Sequence, residues 1–281
     1  MNRSRTSNTY MLRESHFVPH VPLMIAQHFD WLENIEVHRT ASSEEQFIAL
    51  IDGSIDVAAT ALDNVFIWNE KGANVRAIAQ IEQTTPLTFV GQPGRNQLSD
   101  LHNSIFATDA NSNGFALIAR YTLQQHGINA KFVEIGGVRE RYEALLACDV
   151  DASLLGPPFA SMAADRDLSV IASTNELFPD YPGQVLVVRN ERTDQESEAL
   201  ARYLSSLQRA VEATHELENT RGREILELAG LPPEAARLMW HQRPISLNVD
   251  RNGAEVVEKI RLELGELPEE YAGLDTIVGA Y

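Results

Sequence analysis

The sequence predicts an α/β chain folded as two lobes, each built on a mostly parallel sheet, with a cleft between them. Three observations predict it. Strands and helices alternate over the first 80 residues, the alternation breaks at a Gly- and Pro-bearing segment (89–94) and starts again, and a second break (177–183) precedes a single returning strand. Alternation means crossover units on a parallel sheet, and two breaks mean two crossings between lobes. Lobe 1 is expected to hold residues 1–90 and 184–281, with the C-terminal helices, and lobe 2 residues 91–183.

The elements follow in order. Residues 9–14 read as extended, 19–30 as helical and 35–39 as extended. Ser42, Ser43, Glu44 and Glu45 ahead of Phe47, Leu50 and Ile51 start a helix over 42–51, with hydroxyl caps and acid in its first turn. It stops at Gly53, and a short apolar strand over 57–60 breaks off at Thr60. A helix over 64–71 and a strand over 75–80 complete the first series. In the second series strands fall at 104–108, 130–134, 152–155 and 169–172, and helices at 114–127, 138–148 and 159–165. A strand at 184–188 returns. Leu200, Tyr203, Leu204, Leu207 and Val211 then recur at the spacing of one face of a long helix, 195–229, that covers the first lobe. Gly230, Leu231, Pro232, Pro233 and Glu234 end it and start the next; residues 249–264 form a further amphipathic helix, and 267–281 a tail.

With 281 residues, 44% hydrophobic and 22% charged, the chain can bury one large or two ordinary cores. Its 23 basic and 40 acidic residues leave a net charge of -17, which disfavours nucleic acid and anionic membranes as partners. An anionic ligand must be held by local donors against that field. The single Cys148 excludes an internal disulfide and a cysteine-rich metal site. Residues 1–8 carry positive charge with no apolar run behind it, so neither a secretory signal nor a membrane span is expected. The chain as written is expected in the cytoplasm, and in the periplasm or outside the cell if a signal was trimmed ahead of residue 1.

Four stretches carry a family resemblance: Phe17 to Gln27 followed by Phe29 to Leu32, Ile51 to Thr60, Leu154 to Pro158, and Gly230 to Glu234. On these the chain resembles the type II periplasmic binding proteins, in the branch of aliphatic-sulfonate, taurine and thiamine-pyrimidine binding proteins and their enzyme relatives. The resemblance implies the two-lobed fold over nearly the whole chain. Two departures stand out. Such proteins are usually exported, and the sulfinate desulfinase relatives carry a cysteine at the position aligned here with His16. Pyrimidine-synthase relatives use a cysteine-rich run that this chain lacks.

Open α/β sheets bind ligands outside the carboxyl ends of their strands, which selects the candidate site. Thr60, Leu62, Asp63 and Asn64 form one wall, with Asp63 able to take an amine or hydroxyl; capping is the plainer role. Thr108, Asn111, Ser112, Asn113 and Gly114 form the facing wall, where a helix N-terminus can hold a carboxylate, sulfonate or phosphate; the plainer reading is that Asn111 or Ser112 only caps that helix. His16 and Phe17, near His20, lie at the end of the first strand, where His16 can contact ligand or act as acid and base; otherwise it is an exposed turn histidine. His16 and His20 alone do not make a metal site. Gly156 and Pro157 turn the chain so that Phe159 stacks on a planar ligand or joins the core, and Tyr181 closes over the ligand. Glu82 and Gln83 reach the cleft or line the hinge, while Arg139 and Arg141 clamp an acid or lie on a solvated helix face.

No Gly-x-Ser-x-Gly elbow and no Gly-x-x-x-x-Gly-Lys loop occurs. The function expected is therefore binding of a small organic ligand, anionic or planar and polar, as in ABC-type solute-binding proteins. No cofactor or metal is expected, and a membrane permease is the partner if the chain is exported. The alternative is a cytoplasmic enzyme on the same scaffold, a decarboxylase, lyase, desulfinase-like enzyme or hydrolase of a small aromatic or heterocyclic acid, using His16.

Overall fold

The computed structural model describes residues 10–267 and 269–279. Residue 9 of the first expected strand, residues 1–8, and residues 268, 280 and 281 of the tail lie outside them.

The first series is β1 (Leu12–His16), α1 (Val21–His28), β2 (Ile35–Arg39), α2 (Ser43–Asp52), β3 (Val57–Ala61), α3 (Asp63–Glu70) and β4 (Val75–Gln80). The second is β5 (Thr88–Gly91), β6 (Ile105–Thr108), α4 (Gly114–Gln125), β7 (Lys131–Glu134), α5 (Val138–Leu146), β8 (Ala152–Leu155), α6 (Phe159–Ala164), β9 (Ser169–Ser173) and α7 (Thr174–Leu177). Then follow β10 (Gln184–Arg189), α8 (Asp194–Glu216), α9 (Asn219–Leu228), α10 (Pro233–His241) and α11 (Arg251–Glu263). Among the described residues no helix is long and apolar enough to cross a membrane.

Two five-stranded sheets result, ordered β2-β1-β3-β10-β4 and β7-β6-β8-β5-β9. Four strands in each run the same way. The fifth runs against them, and in each sheet it is the strand that has just arrived from the other: β10 is antiparallel to β3 and β4, and β5 to β8 and β9. Register shows where the chain crosses. Thr88, the first residue of β5, pairs with Leu155 and Ser173, the last residues of β8 and β9; Gln184 pairs with Ala61 and Val185 with Gln80, the last residues of β3 and β4. Both crossings therefore join carboxyl end to carboxyl end, and those edges face one another.

The crossings also bond to each other. Ile81 donates to Gln184 O at 2.9 Å, Leu87 donates to the Thr174 hydroxyl at 3.1 Å, and Gly183 packs onto the Glu82 backbone. One buried apolar cluster runs from Leu50, Val65 and Trp68 under the first sheet through Val257 and Ile260 of α11 to Phe89, Phe106 and Leu117 of the second half. A separate cluster packs α1 and α8 on the other face of the first sheet, with Leu12, Leu23, Leu204 and Leu207.

Two expectations are corrected. Residues 89–91 are not connecting chain but strand β5, fully paired, because Phe89 and Val90 are both buried. The long helix expected over 195–229 is two helices, α8 and α9, separated at Leu217 and Glu218, where the backbone is extended. The apolar stripe of α8 lapses after Val211, and Ile225 and Leu226 resume it on a helix whose Gly222 packs on Trp240 of α10.

Candidate functional site

At the first sheet's edge β1 delivers a buried carboxylate. Leu12 points into the core between the sheet and α1, and side chains two apart share a strand face, so Glu14 and His16 follow it inward. Glu14 is fully buried and accepts three hydrogen bonds. His16 Nδ1 lies 3.0 Å from its Oε1, His20 Nε2 lies 3.4 Å from its Oε2, and the Tyr203 hydroxyl of α8 donates to Oε2. His20 also caps α1, its Nδ1 accepting from the Leu23 N–H at 3.2 Å. Burial alone would raise the Glu14 carboxyl, but the electrostatic pull of His20 and the hydrogen bonds from His16, His20 and Tyr203 outweigh it and hold the group at about 2. Burial, with the Glu14 charge beside it, pushes Tyr203 well up. His16 is 5% exposed, not an exposed turn residue, and Phe17 is half-buried in the bend that leads to α1.

The two walls meet at Asp63. Thr60 is fully buried and its hydroxyl accepts from Asn64 Nδ2 at 2.7 Å, while Leu62 belongs to the core. Asp63 opens α3, and its Oδ1 accepts from Arg261 Nη1 of α11 at 2.9 Å, both side chains being 1% exposed. Across from it stands Gly114, the first residue of α4. A Cβ there would come within 2.7 Å of the Asp63 Cβ and 3.0 Å of the Tyr181 hydroxyl, so only glycine fits. Asp63 Oδ2 has no hydrogen-bond partner among the described residues. Burial raises the Asp63 carboxyl against the pull of Arg261, and burial with Asp63's charge raises Tyr181 well above its usual range.

On the second sheet's edge Thr108 is buried, its hydroxyl 3.3 Å from Asn111 Oδ1 and from Val133 O. Asn111 and Ser112 are exposed, and the Asn111 N–H donates to Glu134 Oε1 at 2.9 Å. The helix cap is Asn113, whose Oδ1 accepts from the Ala116 N–H at 3.1 Å while its amide donates to Asp109. Gly156 follows β8 and packs against Leu87, with Pro157 next to it half-buried. Phe159 packs on Tyr142 of α5 with ring centroids 5.5 Å apart, and the Arg139 guanidinium lies over it. Glu82 sits in the first crossing, accepting from the Thr85 hydroxyl at 2.8 Å and from the Gln184 N–H at 3.3 Å. Burial pushes its carboxyl up to about 7.

The structure thus joins Asp63, Gly114 and Tyr181 in one contact, sets His16 on a separate carboxylate cluster of the first edge, and keeps Phe159 among the second sheet's own helices. Sequence reasoning missed Arg261 as Asp63's partner and Glu14 and Tyr203 as His16's support, and it left Arg141 open. Arg141 is 3% exposed, donating to Gly136 O at 2.7 Å and Leu154 O at 3.3 Å, with Asp109 at 3.7 Å; burial lowers its pKa and raises that of Asp109. A signal existed in the helical spacing. Arg261 continues the buried stripe of Ala254 and Val257, and Arg141 shares a face with Val138 and Leu145. Among the described residues no group of three or more His, Cys, Asp or Glu side chains is placed to hold a metal ion.

No curated protein matches the chain in sequence. Solved structures match it in fold. The ligand-binding component of an ABC-type import system from Staphylococcus aureus, solved with zinc bound, superposes with a TM-score of 0.80 at 15% identity, over 96% of this chain and 97% of that one. The alkanesulfonate-binding protein SsuA from Xanthomonas axonopodis pv. citri, bound to MOPS, gives 0.75 at 17% identity over 95% and 97%. A Candida albicans gene product described as having the generic periplasmic binding protein fold gives 0.77 at 14% identity over 96% of each chain. Sheets crossed twice at their carboxyl edges are thus the type II periplasmic binding protein fold. The model of the NMT1-like family matches residues 15–229, most of the chain, and the protein belongs to that family.

Proposed function

We propose that this chain binds a small organic ligand with an anionic or planar polar head between the two facing edges. The two sheets, each with its helices, act as lobes, and residues 81–87 and 178–183 act as the hinge. One observation carries the reading: Asp63, just after β3 of one sheet, touches Gly114, at the N-terminus of α4 on the other. Open N–H groups at that N-terminus suit an anion. The structural neighbours support binding over catalysis, being ligand-binding components, one of them holding a sulfonate buffer. Service in an ABC-type importer would add a membrane permease as partner and a place outside the inner membrane.

Calorimetric titration with short alkanesulfonates, nitrate, aromatic carboxylates and aminopyrimidines tests the proposal. The expected result is saturable binding of at least one compound, recovered unchanged, and weakened about tenfold by Asn111→Ala together with Ser112→Ala, two exposed residues of the second wall. A compound recovered chemically altered, or no binding across the panel, overturns it.

A further inference from the structure

We infer that His16 is a ligand-recognising acceptor: Glu14 fixes its neutral ring with the proton on Nδ1, so that Nε2 offers a lone pair to an N–H or O–H donor on the ligand. This rests on the cleft-binding reading above and deepens it by naming the chemistry of one ligand group.

The argument starts from the two histidines that share one carboxylate. His20 cannot carry its proton on Nδ1 when neutral, because that nitrogen accepts the Leu23 N–H; its proton is on Nε2, facing Glu14 Oε2. Glu14, held ionised, accepts only. His16 meets the same carboxylate through its other nitrogen, Nδ1, at 3.0 Å. The two neutral rings therefore hold opposite tautomers, each aiming its N–H at Glu14. For His20 this uses both nitrogens inside the protein. For His16 it leaves Nε2, which has no hydrogen-bond partner among the described residues, on a ring that closes β1 at the carboxyl edge of the sheet. A ring whose free nitrogen could be either donor or acceptor would not discriminate; fixed by Glu14, it rejects groups that can only accept. Glu14 is a positioning residue, and Tyr203 supplies a third donor that keeps it charged. The ligand group specified is a hydroxyl, an amide N–H or an amino substituent on a heterocycle.

Two matched probe pairs test this on the full chain above the titration range of histidine. They are 2-hydroxyethanesulfonate against 2-methoxyethanesulfonate, and 4-aminopyrimidine against 4-(dimethylamino)pyrimidine. In at least one pair the donor-bearing member should bind about tenfold or more tighter, because a site built for a donor leaves its own acceptor unpaired with the analogue. That preference should shrink to within about twofold in His16→Phe. Long-range nitrogen–proton NMR of the unliganded protein supplies a readout that a merely structural His16 would not move. His16 should show the proton on Nδ1 and His20 on Nε2. Tyr203→Phe should keep that pattern, while Glu14→Gln, whose amide can donate to Nδ1, should mix the His16 tautomers. Equal affinities within both pairs, or a His16 proton on Nε2 in the wild type, overturns the proposal with cleft binding intact. Failure of all four probes to bind overturns this inference, and the cleft-binding reading falls with it only if the nitrate and aromatic carboxylates of the wider panel do not bind either.

Discussion

Glu14 is fully buried and Glu82 half-buried, and their environments move them in opposite directions. Three donors hold Glu14 at about 2 against its usual 4.5, so it contributes stability above 4.5 that is lost as pH falls toward 2, on the order of 3 kcal/mol. Acid unfolding followed by circular dichroism should therefore be steeper in the wild type than in Glu14→Gln across that window. Glu82 is raised to about 7, so its neutral form favours the fold; its contribution is complete below 4.5 and is lost as pH rises through 7. Thermal unfolding from pH 4.5 to 7 should show a downward slope that Glu82→Gln flattens, and an unchanged slope would place the Glu82 carboxyl in water. At this scale the sequence was half legible. His16, Asp63 and Gly114 could be found because they end strands or open helices. Glu14's and Arg261's roles could not, since each depends on a partner far away in the chain: Tyr203 for one and Asp63 for the other.

Helix α11 does more than cover a lobe. Its Val257 and Ile260 join the core cluster that serves both sheets, and its Arg261 reaches Asp63 while also donating to Glu266 O, whose own carboxylate pairs with Arg120 of α4 at 2.6 Å. Removing one partner of such a buried pair strands the other charge. Arg261→Ala should cost about 3–5 kcal/mol in denaturant unfolding, and Asp63→Asn combined with Arg261→Met should cost clearly less than the sum of the single changes. Additive losses would mean that the two groups do not interact. Most elements could be read from local pattern: β4 and β8 fall where expected to the residue, and α2 starts with its Ser42 hydroxyl accepting from Glu45 N–H as its sequence suggests. What escaped was decided by tertiary pairing. β5 is four residues long, ends in Gly91 and runs into Gln92, Pro93 and Gly94, so its composition reads as a turn; only β8 and β9 on either side make it a strand. The break between α8 and α9 likewise answers to Trp240, which packs on Gly222 and donates to Asn219 Oδ1 at 2.9 Å.

The whole molecule carries a net charge of -17, which any anion must approach through. Raising salt from about 0.01 M to about 0.15 M shortens the screening length from about 30 Å to about 8 Å, so the association rate of an anionic ligand should rise by about twofold or more in stopped-flow measurements. A rate that falls instead would reveal a local positive field strong enough to dominate. The fold class and the return crossing were legible at this scale because Pro and Gly mark that second break; the first crossing lies at 81–87, ahead of the Gly- and Pro-bearing segment expected to carry it, and the continuity of one core through α11 was not legible either, because no local signal records which faces two distant helices share. The reversed strands β5 and β10 have a last consequence, for synthesis. The second sheet uses residues 88–173 in one stretch, whereas the first lacks β10, the strand that bonds both β3 and β4, until residue 189 has been made. Chains usually fold from the N-terminus as they emerge. Here the half begun second is the first that can be finished, so a nascent chain ending at residue 183 should protect β5 to β9 from protease while β1 to β4 are still cut.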